Sequence, residues 1–152
     1  GIELVNKGHE FGYEFFPTLQ IKKLKALCLF LKKKYKIQSS NFVGHSDISP
    51  LRKIDPGEKF PWKKLSKYKI GIWYKIKSSK NLQLNIKLNK KLFFKNLYKL
   101  GYRYFNLKKI DKTQSKYLVK AFQSRYNPKN VSGQIDLKTL KISQFLANET
   151  KN

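Results

Sequence analysis

The sequence contains no methionine and a single cysteine, Cys28. One cysteine can form neither a disulfide within the chain nor a CxxC zinc site. No run of apolar residues approaches the roughly 20 that a membrane-spanning helix needs, and the first residues lack the pattern of a signal peptide. The residues present therefore predict neither a disulfide-stapled domain nor a transmembrane segment, and Cys28 is predicted to be a small core residue.

Acidic residues are also scarce, with 9 against 34 basic ones, so the formal net charge is +25. Such a charge favours polyanions such as nucleic acid, anionic lipid or anionic wall polymers. The excess is nearly all lysine, because arginine occurs only at Arg52, Arg103 and Arg125. Base readers and phosphate clamps rely on bidentate arginine. The charge is therefore interpreted as compositional drift with a solvated surface, without a specific nucleic-acid partner. A nucleic-acid-binding protein is the alternative; it predicts salt-dependent binding to DNA or RNA, and sequence-selective, salt-resistant binding would distinguish it from a generic polycation.

The absence of methionine also bears on the first residues, GIELV. A translated chain starts with methionine, so Gly1 is not expected to be a native start. GIELV is apolar and β-branched without a preceding turn, which is typical of a strand inside a sheet. We therefore expect a sheet whose upstream part is missing, and an open edge that could associate with another chain, such as a missing amino-terminal fragment.

The 152 residues are 40% hydrophobic and 14% aromatic, which suffices for one ordinary domain or two small ones. The first half, residues 1–75, predicts an α/β fold in which a mixed sheet, incomplete at its amino terminus, has flanking helices. The predicted elements are a strand at 1–6, a loop at 7–17, a helix from its N-cap Thr18 to Tyr35, a strand from Asn41 to Gly44, a loop at 46–60 and a helical turn opened by Pro61.

The second half predicts a small three-helix bundle over residues 90–152. Before it, residues 76–89 are rich in Lys, Ser and Asn without aromatics, and we interpret them as a linker, although their alternating leucines also suit a strand. The predicted helices run from residue 90 to a stop at Gly101, from a cap at Thr113 to Tyr126, and from a cap at Asp136 to residue 147.

The stretch VGHSDISPLRKIDPG, residues 43–57, carries side chains suited to catalysis. His45 and Asp55 could offer an imidazole and a carboxylate to one Zn²⁺, and Lys53 could stabilise an oxyanion. Glu3 is a charge on a predicted interior strand, where a buried carboxylate beside a metal would be a suitable general base. From spacing alone, however, a hydrogen-bonded structural histidine and a loop-capping aspartate are favoured, because many loops hold two such residues.

Longer strings carry a specific resemblance. GIELVN, FFPTLQIKKLKAL, VGHSDISPLRKIDPGEKFPWKKL and IGIWY follow one another over residues 1–73. In this order and spacing they resemble the zinc-dependent N-acetylmuramoyl-L-alanine amidases of the type-2, peptidoglycan-recognition-protein-like family. NLYKLGYRY, YLVKAFQSRY, SGQID and TLKIS, more loosely, resemble the three-helix peptidoglycan-binding domain found at the carboxyl end of bacterial members.

The resemblance implies a role for each candidate residue. His45 matches the second zinc-binding histidine of the family, and Asp55 matches its zinc-binding aspartate. Lys53 matches the lysine implied to stabilise the tetrahedral oxyanion, and Glu3 matches the acidic residue implied to act on the zinc-bound water. Asp47 matches no catalytic position and is interpreted as a loop-capping residue. Two tryptophans in family motifs are interpreted as core residues, namely Trp62 and Trp73.

The chain departs from the family in one respect. The family's first zinc-binding histidine lies upstream of GIEL, and this sequence does not contain it. His9 belongs to no family motif and is interpreted as an exposed loop histidine. Two protein ligands would hold zinc weakly.

The resemblance implies a peptidoglycan hydrolase that cleaves the amide between N-acetylmuramic acid and L-alanine with zinc-activated water. Peptidoglycan or muropeptides are the implied partners, and the bundle would hold the enzyme on wall polymer. The cell envelope or periplasm is favoured over the cytoplasm. The alternative is a non-catalytic peptidoglycan-binding remnant of a split or decayed amidase gene.

Overall fold

The computed structural model describes residues 1–76 and 89–149, and both parts are built from helices. The predicted boundary at 76–89 falls almost wholly outside these residues, so the division into domains stays a prediction. The described residues form six α-helices and one 3₁₀ turn at Ser39–Asn41. The helices are α1 (Thr18–Tyr35), α2 (His45–Ile48), α3 (Trp62–Ser66), α4 (Lys90–Lys99), α5 (Lys112–Tyr126) and α6 (Leu137–Glu149).

The predicted mixed α/β sheet is wrong. Residues 1–76 and 89–149 contain no strand, and their one β-type pairing is an isolated bridge between Asn106 and Lys109. Residues 1–6 pair with no other segment of this described part, and Val5 is 88% exposed. A strand exists only when a neighbour accepts its backbone hydrogen bonds, so an apolar run alone does not make one. The predicted strand from Asn41 to Gly44 is also wrong, because Asn41 ends the 3₁₀ turn and residues 42–44 lead into α2.

Helix α1 has the predicted bounds, Thr18 to Tyr35. Thr18 is its first helical residue rather than its N-cap, because Pro17 occupies that position. The helix buries one side through Ile21, Leu24 and Cys28, so the prediction that Cys28 is a core residue is confirmed. This side packs into an amino-terminal cluster with Phe60, Trp62, Leu65 and Ile70.

The three predicted carboxyl-terminal helices are present as α4, α5 and α6, and each begins at a polar cap. Asn89 accepts a hydrogen bond from the Leu92 amide (3.0 Å). Asp111, rather than the predicted Thr113, caps α5 by accepting from the Gln114 amide (2.8 Å). Asp136 accepts from the Thr139 amide (2.6 Å), which confirms that cap. In each case the short polar side chain satisfies an amide that the first helical turn leaves free.

These helices enclose a second hydrophobic cluster. None of the helices in the described ranges is long and apolar enough to cross a bilayer. Trp73 packs against both clusters, and Trp62 is buried, so the interpretation of the two tryptophans as core residues is confirmed. The second cluster has a fully buried interior of Phe93, Leu97, Leu118, Val119, Phe122, Leu140 and Ile142.

Candidate metal site

His45 and Asp55, which the family resemblance implies to share a zinc ion, lie together. His45 Nδ1 is 3.2 Å from Asp55 Oδ2, and both side chains are open to solvent, with 45% and 60% of their surface exposed. Helix α2 begins at His45, and the Ser46 amide donates to the Asp55 carbonyl (2.9 Å). Gly44 allows a close approach here, because a Cβ on it would lie 2.6 Å from Pro56 Cδ. The backbone therefore fixes the pair.

An imidazole nitrogen and a carboxylate oxygen in contact are a donor set that suits Zn²⁺. Residues 1–76 and 89–149 contain no group of three His, Cys, Asp or Glu side chains placed to share an ion. The chain has only one other histidine, His9. His9 Nε2 contacts Glu58 Oε2 (3.0 Å) instead, and its ring stacks on Tyr13. The residues present thus fit two zinc ligands, and His9 is occupied elsewhere.

The structure does not join the other two predicted catalytic residues to this pair. Glu3 is exposed, so its predicted place on an interior strand is wrong. Lys53 is partly buried, and its amide donates to the Ser49 carbonyl (2.9 Å). Within the described ranges, no hydrogen bond or ion pair connects either side chain to His45 or Asp55. Their catalytic roles stay predictions.

Sequence reasoning missed Tyr13, which supports the loop that carries Asp55. Its hydroxyl donates to the Pro56 carbonyl (2.7 Å) and accepts from the Lys59 amide (2.9 Å). Burial raises the pKa of Tyr13 to about 12, which keeps the hydroxyl protonated and able to donate. Gly57 has φ +77°, and a Cβ there would lie 2.6 Å from the Tyr13 oxygen. The density of aromatic residues in the loop KGHEFGYEFFP was the one sequence feature that could have indicated a structural role for Tyr13.

Asp47 caps α2, which confirms its interpretation as a loop-capping residue. Its Oδ2 accepts from the Gly44 amide (2.8 Å). The same carboxylate forms a buried ion pair with Arg125 and accepts from the Tyr102 hydroxyl (2.6 Å). Burial alone would lower the pKa of Arg125, but the Asp47 carboxylate and the neighbouring tyrosines raise it above its ordinary value. Arg125 is therefore charged, and sequence reasoning missed both of these partners.

Two buried tyrosines beside this ion pair should make the protein unstable in alkali. Burial raises the pKa of Tyr126 from 10.0 to about 12, and it raises the pKa of Tyr102 well above 10.0. As the pH rises above 10, the unfolded chain therefore loses the tyrosine protons at a lower pH than the folded protein does. The free energy of unfolding should therefore fall as the pH rises from about 10 to about 12, by up to ~1.4 kcal/mol per pH unit for each tyrosine.

Urea unfolding at a series of alkaline pH values measures this slope. Tyr126→Phe should make the slope less steep, because one of the two buried ionisable groups is gone. Tyr35→Phe is the matched control, since Tyr35 is 60% exposed, and it should keep the slope of the unchanged protein. Equal slopes for Tyr126→Phe and the unchanged protein would contradict the prediction.

Residues 1–58, which include the His45–Asp55 pair, match the Amidase_2 family, described as N-acetylmuramoyl-L-alanine amidase. Over 96% of its length the chain is 31% identical to the N-acetylmuramoyl-L-alanine amidase AmiD of Escherichia coli (strain K12). It covers 55% of that protein. The chain thus spans about half the length of this relative.

The similarity extends to solved structures. One is E. coli AmiD in complex with the substrate anhydro-N-acetylmuramic acid-L-Ala-D-gamma-Glu-L-Lys, at a TM-score of 0.77 and 26% identity, over 91% of this chain and 55% of that one. Another is AmpDh3 from Pseudomonas aeruginosa in complex with anhydromuramic pentapeptide, at a TM-score of 0.81 and 28% identity, over 91% and 56%. A match over 91% of this chain reaches beyond residue 58 into the carboxyl-terminal helices.

Proposed function

We propose that this chain, a homologue of N-acetylmuramoyl-L-alanine amidases, forms part of a zinc-dependent peptidoglycan hydrolase. The reaction is hydrolysis of the amide between N-acetylmuramic acid and L-alanine. The observation that carries the proposal is the contact between His45 and Asp55, 3.2 Å apart and open to solvent, within the residues that match the family. The relatives' complexes with anhydromuramic peptides support muropeptides as the substrate class.

In this proposal His45 and Asp55 would hold a zinc ion with the imidazole and the carboxylate that contact each other in the structure. Zinc, when bound, supplies Lewis-acid activation of water and of the substrate carbonyl. The Lys53 ammonium stabilises the negative charge that develops on the carbonyl oxygen. Glu3 accepts a proton from the attacking water and returns it to the departing amine of alanine. Because Glu3 is exposed, the bound substrate or a further segment would have to cover it for this step.

A catalytic zinc site uses three protein ligands and an open position. This chain supplies two, so we propose that the third comes from another polypeptide segment that associates with residues 1–6. The family pattern places this ligand in a segment upstream of GIEL. We also propose that the protein acts in the cell envelope or periplasm, where its substrate lies.

A second candidate function is peptidoglycan binding without catalysis, as in the remnant of a split or decayed amidase. The observation in its favour is that the carboxyl-terminal core is fully packed, whereas the candidate metal site, in the described ranges, has fewer ligands than a catalytic zinc needs. Three capped helices enclose a fully buried core in the carboxyl-terminal part, whereas the metal site has two ligands among the described residues. Wall binding would then survive loss of the chemistry.

Metal content and amide cleavage distinguish the two functions. The chain is reconstituted with Zn²⁺ in the presence of imidazole, which can occupy the ligand position that this chain does not supply, and release of the stem peptide from an anhydromuramic peptide is followed by mass spectrometry. We expect zinc-dependent cleavage that His45→Ala lowers by at least about 100-fold, because a ligand is lost. His9→Ala is the matched control and should keep the activity. Absence of both zinc and cleavage in the unchanged chain, with peptidoglycan binding retained, would overturn the amidase proposal in favour of the remnant.

A further inference from the structure

The segment that carries His45, residues 42–47, is anchored to the carboxyl-terminal helices by a buried polar cluster. Asp47 Oδ1 accepts from the Tyr102 hydroxyl (2.6 Å), and Oδ2 accepts from Arg125 Nη1. The Arg125 and Asp47 side chains are 3% and 6% exposed. Charge-assisted hydrogen bonds in such an environment are strong and directional.

Arg125 makes a second and a third contact with the same region. Its Nη2 donates to the Phe42 carbonyl (3.0 Å), so the two ends of the guanidinium fork contact both ends of residues 42–47. The guanidinium also lies over the Trp62 ring, 3.9 Å from its centroid. A planar, charged group with donors in a fixed fork can make these contacts at once, whereas a lysine ammonium cannot.

His45 lies between the two anchored points. The Asp47 carboxylate that binds Arg125 also binds the Gly44 amide, immediately before His45. A shift of Arg125 would therefore move the start of α2, and with it the imidazole that contacts Asp55.

We infer that Arg125 and Tyr102 are positioning residues for His45, and so for the metal site on which the proposed function depends. The carboxyl-terminal helices thereby complete the site in addition to any role in wall binding. The basic residues of this chain are nearly all lysine, and Arg125 lies at a position where both nitrogens of the guanidinium fork donate hydrogen bonds.

The test uses the full chain with Arg125→Lys, which keeps the charge and removes the fork. Arg103→Lys is the matched control, because Arg103 is exposed and donates to the backbone carbonyls of Tyr98 and Tyr102 rather than to Asp47. The first readout is the NMR signal of each histidine ring in the isotope-labelled protein at constant pH. The second is the Zn²⁺ dissociation constant, from competition with a chromophoric chelator.

We expect Arg125→Lys to shift the His45 ring signals, to leave those of His9 in place, and to weaken zinc binding by about 10-fold or more. Arg103→Lys should change neither readout. If Arg125→Lys does not fold, Tyr102→Phe, which removes a single hydroxyl, must still shift His45 and not His9. Unchanged His45 signals in a folded Arg125→Lys or Tyr102→Phe variant would overturn the inference. Absence of zinc binding and cleavage in the unchanged chain, even with imidazole in the third ligand position, would instead refute the proposed function, and the histidine signals would still decide the inference.

Discussion

Replacing Asp47 with alanine is expected to lower the free energy of unfolding by about 3–5 kcal/mol, because it leaves a buried guanidinium without a counter-charge. In the folded protein Asp47 pairs with Arg125 and accepts hydrogen bonds from the Tyr102 hydroxyl and the Gly44 amide. All three partners would keep their buried donors and lose their acceptor. Breaking one side of a buried ion pair costs far more than the loss of a surface pair.

Urea unfolding of Asp47→Ala against the unchanged protein measures this loss. Asp111→Ala is the matched control, since Asp111 also caps a helix but is exposed and pairs with no arginine in the described part of the chain. Loss of such a cap costs about 0.5–2 kcal/mol. If Asp47→Ala costs no more than Asp111→Ala, the ion pair does not stabilise the fold as argued.

Phe122→Ala should be comparably severe, with a loss of about 3–5 kcal/mol. Phe122 has no exposed surface, and its ring meets that of Phe93 edge to face, with centroids 5.4 Å apart. Its centroid is also 4.9 Å from that of Tyr126. Truncation would remove these contacts and leave a cavity between helices that cannot close fully.

The same unfolding measurement tests Phe122→Ala. Phe30→Ala is its control, because Phe30 is 60% exposed on α1 and should change stability by about 0.5 kcal/mol or less. Similar losses for the two variants would show that the carboxyl-terminal helices are not packed as described.

The helices could be predicted from the sequence because the signals that form them are local. The helical spacing of Leu24 and Cys28 marks the buried side of α1, and the cap at Asp136 is decided within one helical turn. The caps of α1 and α5 were misplaced by one or two residues, because Thr and Asp or Pro compete for adjacent positions. The predicted sheet is wrong for a different reason, since a strand depends on backbone pairing with a neighbour and residues 1–6 form no β-pairing among the described residues.

The candidate site also combines a contact within one loop with contacts between distant positions. Only the family resemblance implied that His45 and Asp55 lie together, because their spacing alone fits many loops. In the structure a short loop that returns to the start of α2 brings the two together. The contacts of Asp47 with Tyr102 and Arg125 span 55 and 78 positions, and no local pattern encodes them. The rarity of arginine was a usable signal, because a fork-shaped cation kept amid lysines indicates a position that lysine cannot fill.

Those long separations have a consequence for synthesis on the ribosome. A nascent chain grows from its amino terminus, and contacts between distant positions form only after both partners have emerged. Residues 42–47 leave the ribosome well before Arg125, so the Asp47 carboxylate stays solvated until Arg125 has been made. The region around His45 therefore reaches its final arrangement late, when α5 has been made and docks against it.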